Sequence, residues 1–275
     1  GNPSLTVRIG LTDRLATYIS GSGTTSLLFR VGVLPDDADS DGIQLQSLNL
    51  NSGSIKDSSL NDASLTLAAV NMANVVVDGS APGVIAITKP NDGYYRSTQS
   101  LAWSLQFDKI VFVTNTPTLR LNVGAVTKTL SYLAGSGTNT LIFSYTTIPG
   151  DVAINGVQLL PAIDLSSGQI KDVYGNMIKT SLSGFGLSYA GIIVDSIAPV
   201  VTRVAPPMAG SYSQRLVFSL ETSEKVTVVG NPEIALNIGG TLKSLIYQSV
   251  SGTNKLSFSA SLLLPDQDLD GVAMA

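Results

Sequence analysis

Histidine and cysteine are both absent from the 275 residues. Without histidine, neither a Ser-His-Asp nor a Cys-His nucleophile system can be assembled. Without either residue, ordinary zinc centres lose their usual ligands. No disulfide can brace the chain, so outside the cell its stability must come from packed cores or metal. Charge is also sparse: 13% of residues are Asp, Glu, Lys or Arg, with a net charge of −4. No cluster of Lys and Arg gives a nucleic-acid footprint. No apolar run reaches the roughly 18 residues of a membrane span, and no signal-peptide pattern is visible. The segment therefore reads as internal to a longer polypeptide, or as processed. Carboxylate-pair hydrolysis and Ser-Lys chemistry are what these absences leave open.

Hydrophobic residues make up 44% of the chain, enough to fill a core, and Ser, Thr, Asn and Gly must cover most of the surface. The apolar period is that of strands. Leu119, Leu121 and Val123 alternate with Thr118, Arg120 and Asn122, and Ser4–Ile9 and Glu233–Ile238 alternate in the same way. Longer strands place Leu141, Phe143 and Tyr145 on one face, as they do Leu27, Phe29, Val31 and Val33, and Leu256, Phe258, Ala260 and Leu262. One apolar and one polar face is the pattern of a sheet covering a core on one side. No stretch carries helical spacing.

A unit recurs three times. TYISGSGTTSLLF ends at Phe29, SYLAGSGTNTLIF at Phe143 and IYQSVSGTNKLSF at Phe258, a spacing of 114 and then 115 residues. A period of this length is a whole domain. The junctions repeat too: VVVDGSAP ends at Pro82 and IIVDSIAP at Pro199. They divide the chain into 1–78, 79–194 and 195–275. The middle copy reads as complete, the first as lacking its opening strands and the third its closing strands. In the middle copy, strands are expected near 83–88, 101–107, 110–114, 118–123, 128–133, 140–147, 157–160 and 187–194. Seven or eight short strands without helices predict an antiparallel two-sheet sandwich. Trp103 and its counterpart Phe218 fall on apolar strand faces and are expected in the cores.

These motifs resemble the bacterial immunoglobulin-like repeats of large cell-surface proteins, of the swimming-motility or flagellar-associated type. The marks are the Tyr-x-x-Gly-Ser-Gly-Thr turn, the Leu-x-Phe strand, an Asp-rich loop ending in Gly, Ser-Gly-x-Ile-Lys-Asp and the Val-Asp-x-x-Ala-Pro junction. The resemblance implies tandem immunoglobulin-like β-sandwich domains, an extracellular cell-surface location, a structural or adhesive role and no catalysis.

The most chemically suggestive motif is the Asp-rich loop. The first copy has Asp37, Asp39 and Asp41 followed by Gly42, and the third has Asp266, Asp268 and Asp270 followed by Gly271. Alternate carboxylates in a tight loop can converge on one point, and hard oxygen ligands suit calcium, making these six residues candidate Ca2+ ligands. An EF-hand loop would need Glu at its twelfth position, and Leu48 stands there. The middle copy is an internal control, because Asp151, Ala153 and Asn155 occupy the same places. The same loop can be built without a full acidic set, so the alternative is Asp and Asn side chains closing a turn on nearby backbone N–H groups. Asp78 and Asp195 at the junctions form a second acidic candidate, with Asp57, Asp62 and Asp172 as neighbours within reach. A capped turn in a stiff linker is the plainer reading.

The remaining constellations are weak. Ser-Gly-Ser-Gly-Thr lacks the Gly-Lys-Ser/Thr ending of a phosphate loop and reads as a hairpin turn. Lys56-Asp57 and Lys171-Asp172 recur together, as a turn or surface ion pair would. Tyr94 and Tyr95 could meet a glycan or lie at a strand edge.

Three functions follow. The first is a structural or adhesive segment, a stalk or array whose partners are neighbouring repeats of the same or another chain; one form is a surface-layer or filament subunit assembling by strand exchange. The second is an adhesin module that binds a surface glycan or protein. The third, a carboxylate-pair glycosidase, is disfavoured because the acids recur in register with the repeat, whereas an active site is normally unique.

Overall fold

The computed structural model describes residues 1–248, 252–263, 266–269 and 271–275. It is all-β, with no helix among the described residues. By contacts the chain divides into two compact units, Gly1–Ser196 and Ile197–Ala275. The first unit holds the first two copies of the repeat and the second holds the third.

The first copy contains β1 (Ser4–Ile9), β2 (Thr12–Ser20), β3 (Leu28–Arg30), β4 (Ala38–Asp39), β5 (Gln44–Asn49) and β6 (Val77–Asp78). They form a sheet of order β3-β2-β1-β5 and a separate β4-β6 pair. Its buried core is small: Val7, Ile9 and Ala16, with Leu5, Phe29, Val31, Ile43, Leu45 and Val77 packed around them. The strand expected to carry Leu27 through Val33 is confined to Leu28–Arg30, and Val33 is exposed.

The middle copy contains β7 (Val84–Thr88), β8 (Gly93–Tyr95), β9 (Ser100–Asn115), β10 (Thr118–Val123), β11 (Val126–Ala134) and β12 (Thr138–Thr146). It continues with β13 (Val152–Ala153), β14 (Val157–Asp164), β15 (Gly168–Lys171), β16 (Ser188–Tyr189) and β17 (Ile192–Asp195). A large curled sheet runs β15-β9-β12-β11-β10-β14-β16, with β7 also on β9, and a small sheet runs β13-β17-β8.

Strand β9 organises this copy. Leu101, Trp103, Leu105 and Phe107 alternate inward along it, each fully buried. Its first half pairs with β12, setting Trp103 opposite Phe143, and its last residues pair with β15. The two strands expected at 101–107 and 110–114 are thus one continuous strand. The sheets are antiparallel except at β17 and β8, which run parallel with Ile192 beside Gly93. Trp103 and Tyr189 lie 5.9 Å apart between ring centres. Both aromatic residues expected in cores are there, Trp103 at 0% exposure and Phe218 at 4%.

The third copy contains β18 (Val201–Ala205), β19 (Arg215–Val226), β20 (Glu233–Ile238), β21 (Thr241–Tyr247), β22 (Thr253–Ser261) and β23 (Ala273–Met274), ordered β18-β19-β22-β21-β20-β23. Its core holds Leu216, Phe218, Leu236, Ile238, Leu245, Leu256, Phe258 and Ala260.

The Ser-Gly-Thr segment is a hairpin turn. In the middle copy the Ser136 N–H donates to Tyr132 Oη at 2.8 Å and the Thr138 hydroxyl donates to the Gly135 carbonyl at 2.8 Å. The first copy repeats both bonds at Ser22–Tyr18 and Thr24–Gly21, each 2.7 Å. In the third copy the equivalent Ser251 lies outside the described residues. The turn also tilts the tyrosine onto the following strand, so Tyr18–Phe29, Tyr132–Phe143 and Tyr247–Phe258 stack at 5.9, 5.9 and 5.7 Å.

Candidate functional site

The acidic loop follows the long strand of each copy and crosses the turn of a neighbouring hairpin. The crossing demands glycine. A Cβ on Gly10, Gly124 or Gly239 would lie 2.4, 2.3 or 2.0 Å from a loop carbonyl, that of Ala38, Val152 or Gln267. All three glycines also adopt positive φ, which other residues enter at a cost.

The first acid of the loop makes the same two contacts in every copy. Asp37 pairs with Arg14 at 2.5 Å, Asp151 with Lys128 at 2.6 Å and Asp266 with Lys243 at 3.0 Å. Each carboxylate also accepts the N–H three residues before it, from Leu34, Ile148 and Leu263, at 2.8, 2.9 and 2.8 Å. The base sits on the second strand of the hairpin the loop crosses. The pair therefore fastens loop to sheet. The middle copy adds the Tyr145 hydroxyl, which donates to Asp151 at 2.5 Å.

The second acid acts on backbone. Asp39 accepts the N–H groups of Gly10 and Gly42, both at 2.7 Å, and Asp268 accepts those of Gly239 and Gly271 at 2.7 and 2.8 Å. Ala153 replaces this acid in the middle copy, and Val152–Ala153 still pairs with β17 as Ala38–Asp39 pairs with β6. Asp41 is exposed, and Asp270 lies outside the described residues. The candidate calcium ligands Asp37 and Asp39, like Asp266 and Asp268, are thus directed at different protein donors. Among the described residues, no three acids are grouped as metal ligands.

The junction at Asp78 brings together groups from two copies. The Lys109 ammonium lies 2.7 Å from both carboxylate oxygens of Asp78, 2.7 Å from the Ser80 carbonyl and 3.0 Å from the Ser80 hydroxyl. Asp172 approaches it at 3.4 Å. Asn176 completes the knot, donating from Nδ2 to the Asp78 carbonyl at 2.8 Å and to Asp172 at 2.9 Å. Asp172 also accepts the N–H groups of Tyr174 and Asn176. Asp78 closes β6 of the first copy, while Lys109, Asp172 and Asn176 belong to the middle one. Five oxygens around one cation resemble a metal's coordination sphere, and here the cation is an ammonium.

Of the expected neighbours of Asp78, only Asp172 joins this knot. Asp57 closes its own turn on Ser59 and Asn61, and Asp62 pairs with Lys56 at 2.6 Å. Asp57 repeats the turn geometry of Asp172. Asp195 ends β17, opposite Val152. Tyr94 is 80% exposed on β8, whereas Tyr95 is tied by its hydroxyl to the Asn91 carbonyl at 2.8 Å.

The electrostatics follow these contacts. Burial alone would raise the carboxyls of Asp78 and Asp172, but hydrogen bonds, from Lys109 and Ser80 to the first and from Asn176 and Lys109 to the second, hold both below the usual range. Burial likewise opposes the charge of Lys109, and the two aspartates outweigh it and raise its pKa. Arg14 lowers Asp37, the Leu263 N–H and Lys243 lower Asp266, and the Ile148 N–H and Lys128 lower Asp151 against its burial.

A depressed carboxyl contributes stability above its unfolded pKa, near 3.9, and loses it as pH falls through the lower folded value. A raised lysine contributes below about 10.4 and loses it as pH rises through the folded value. No histidine or cysteine side chain titrates between these limits. The melting temperature is therefore expected to be nearly flat from about pH 5 to 9 and to fall below about pH 4. A step near pH 6.5 in a calorimetric pH series would refute this.

No family model matches the chain, and no curated protein is similar to it.

Proposed function

We propose that the chain is a structural segment of a secreted bacterial surface protein, with immunoglobulin-like sandwiches in tandem forming a stalk or array. The observation that carries this reading is the repetition of the acid–base latch. Asp37–Arg14, Asp151–Lys128 and Asp266–Lys243 occupy one position of the repeat. Groups that recur once per domain serve the domain. The knot on Lys109 adds a second element, a charged clasp where one copy meets the next. Stiffness of this kind suits a spacer that sets reach, and in this reading Arg or Lys supplies the positive charge of the loops.

Stretching single molecules between their two termini tests the proposal. The middle copy is expected to resist and then release in one step, adding up to about 400 Å for roughly 115 residues at about 3.5 Å each. Gradual extension with no step at this length would oppose a mechanical role. Saturable glycan binding that is abolished by Tyr94→Ala would instead favour the adhesin module.

A further inference from the structure

The middle copy departs from its sisters at one patch of its outer surface. Ile110 and Phe112, on the outward side of β9, are 55% and 45% exposed. The matching residues of the third copy are Lys225 and Thr227. Strand β15 sets Lys171 beside Phe112, and a single bridge sets Met177 beside Lys171, so the three form a row. In the first copy the same bridge joins Lys56 to Asp62, which are ion-paired at 2.6 Å. Met177 stands in the place of Asp62, and the exposed Val173 in that of Ser58. Four positions that are polar in a sister copy are therefore apolar here, and Lys171 has lost its acid. The sister copies fold with polar residues at these places, so the fold does not require apolar ones. Exposed apolar side chains gathered in this way mark an interaction surface.

The charges of the patch point to its occupant. Asp108 lies two residues before Ile110 and Phe112 two after it, and all three are exposed on the same side of β9. The Gly83 N–H donates to the Asp108 carboxylate at 2.9 Å and fixes its place. Neither Asp108 nor Lys171 makes an ion pair with any described residue. An unpaired anion and an unpaired cation therefore lie on opposite sides of Ile110. Two such strands laid face to face and antiparallel about Ile110 bring each Asp108 to the Lys171 of the other molecule. The same arrangement covers Ile110 and Phe112 of both. This is the symmetry of an isologous contact, in which one patch complements itself.

We propose that two copies of this chain meet at the patch, about a two-fold axis at Ile110, with two reciprocal Asp108–Lys171 pairs. The apolar side chains supply the attraction, and the charge pairs set orientation and reject other partners. The patch is small, so the contact is weak and depends on concentration. The inference rests on the middle copy alone and does not depend on a mechanical role.

Sedimentation velocity on the whole chain, from about 1 μM to about 1 mM, should show a reversible monomer–dimer equilibrium. Asp108→Lys alone and Lys171→Glu alone should each raise the dissociation constant at least about 10-fold, because each sets like charges opposite one another twice per dimer. Mixing the two variants should restore a dimer with one chain of each kind, since both charge pairs are then complementary again. A variant that merely failed to fold could not be rescued by mixing. A chain that stays monomeric throughout this range would overturn the proposal. So would a dimer that both single variants retain, or variants that remain monomeric when mixed.

Discussion

Trp103→Ala is expected to lower the unfolding free energy by about 3–5 kcal/mol, the range for removing a large buried aromatic side chain. Trp103 has no exposed surface, sits opposite Phe143 on the neighbouring strand and meets Tyr189 of β16, at the edge of the same curled sheet. It lies in one buried cluster with Ile192 and Val194 of the small sheet, so both sheets border the core from which it would be removed. Circular dichroism in guanidinium measures the loss, since the variant has no tryptophan left to follow. Phe218→Ala, at the same position of the repeat, is expected to cost less. Phe218 lines a surface groove and is 4% exposed where Trp103 is 0%, so less packing surrounds the side chain. Equal losses in the two variants would contradict this difference in packing.

Lys109→Met is expected to cost about 2–3 kcal/mol. Breaking a buried ion pair from one side costs about 3–5 kcal/mol because the remaining charge is stranded. Here the figure is reduced for solvent screening, since the Lys109 and Asp78 side chains are 24% and 28% exposed. Asp172, at 2% exposure, is the group left stranded. Its fluorescence makes Trp103, the only tryptophan of the chain, a reporter for the middle copy. The pH dependence carries the signature of the mechanism. Without the ammonium the folded pKa values of Asp78 and Asp172 rise, so protonating them costs the variant less than it costs the parent. The deficit should shrink as pH falls through about 4. A deficit independent of pH would mean that the lysine acts through its packed stem alone.

Much of this architecture is legible in the residues. The strand period, the three copies, the hairpin turn and the burial of Trp103 and Phe218 all follow from local chemistry that the fold repeats. The short strands β8, β13 and β15 do not, because two to four residues carry too little periodicity to read. The parallel contact of β8 with β17 joins segments far apart in sequence, and no local pattern announces it.

The acidic loops were legible as chemistry but not as pairs. Their acids stand out at once, whereas Arg14, Lys128 and Lys243 look like ordinary outward residues of alternating strands. The available signal was their own recurrence at the spacing of the acids. Lys109 carried a clearer sign. It lies in phase with Leu105, Phe107 and Val111, on the inward face of β9, where a lysine needs a partner. The charged pair Asp108-Lys109 reads as a break between two strands. The backbone instead continues through it, because the ammonium has oxygens waiting at the junction. At the matching place in the third copy the sequence has Glu224.

The central claim is that an internal ammonium fastens the first copy to the middle one. Native-state hydrogen exchange on the parent and on Lys109→Met tests it most directly. The account predicts that the variant loses protection at Asp36 and Gly79, whose N–H groups bond across the closing strand of the first copy at 3.1 and 2.7 Å. The centre of the middle sheet, at Leu121 and Leu130, should stay protected relative to the global unfolding of the same variant. Unchanged protection at Asp36 and Gly79 would contradict it.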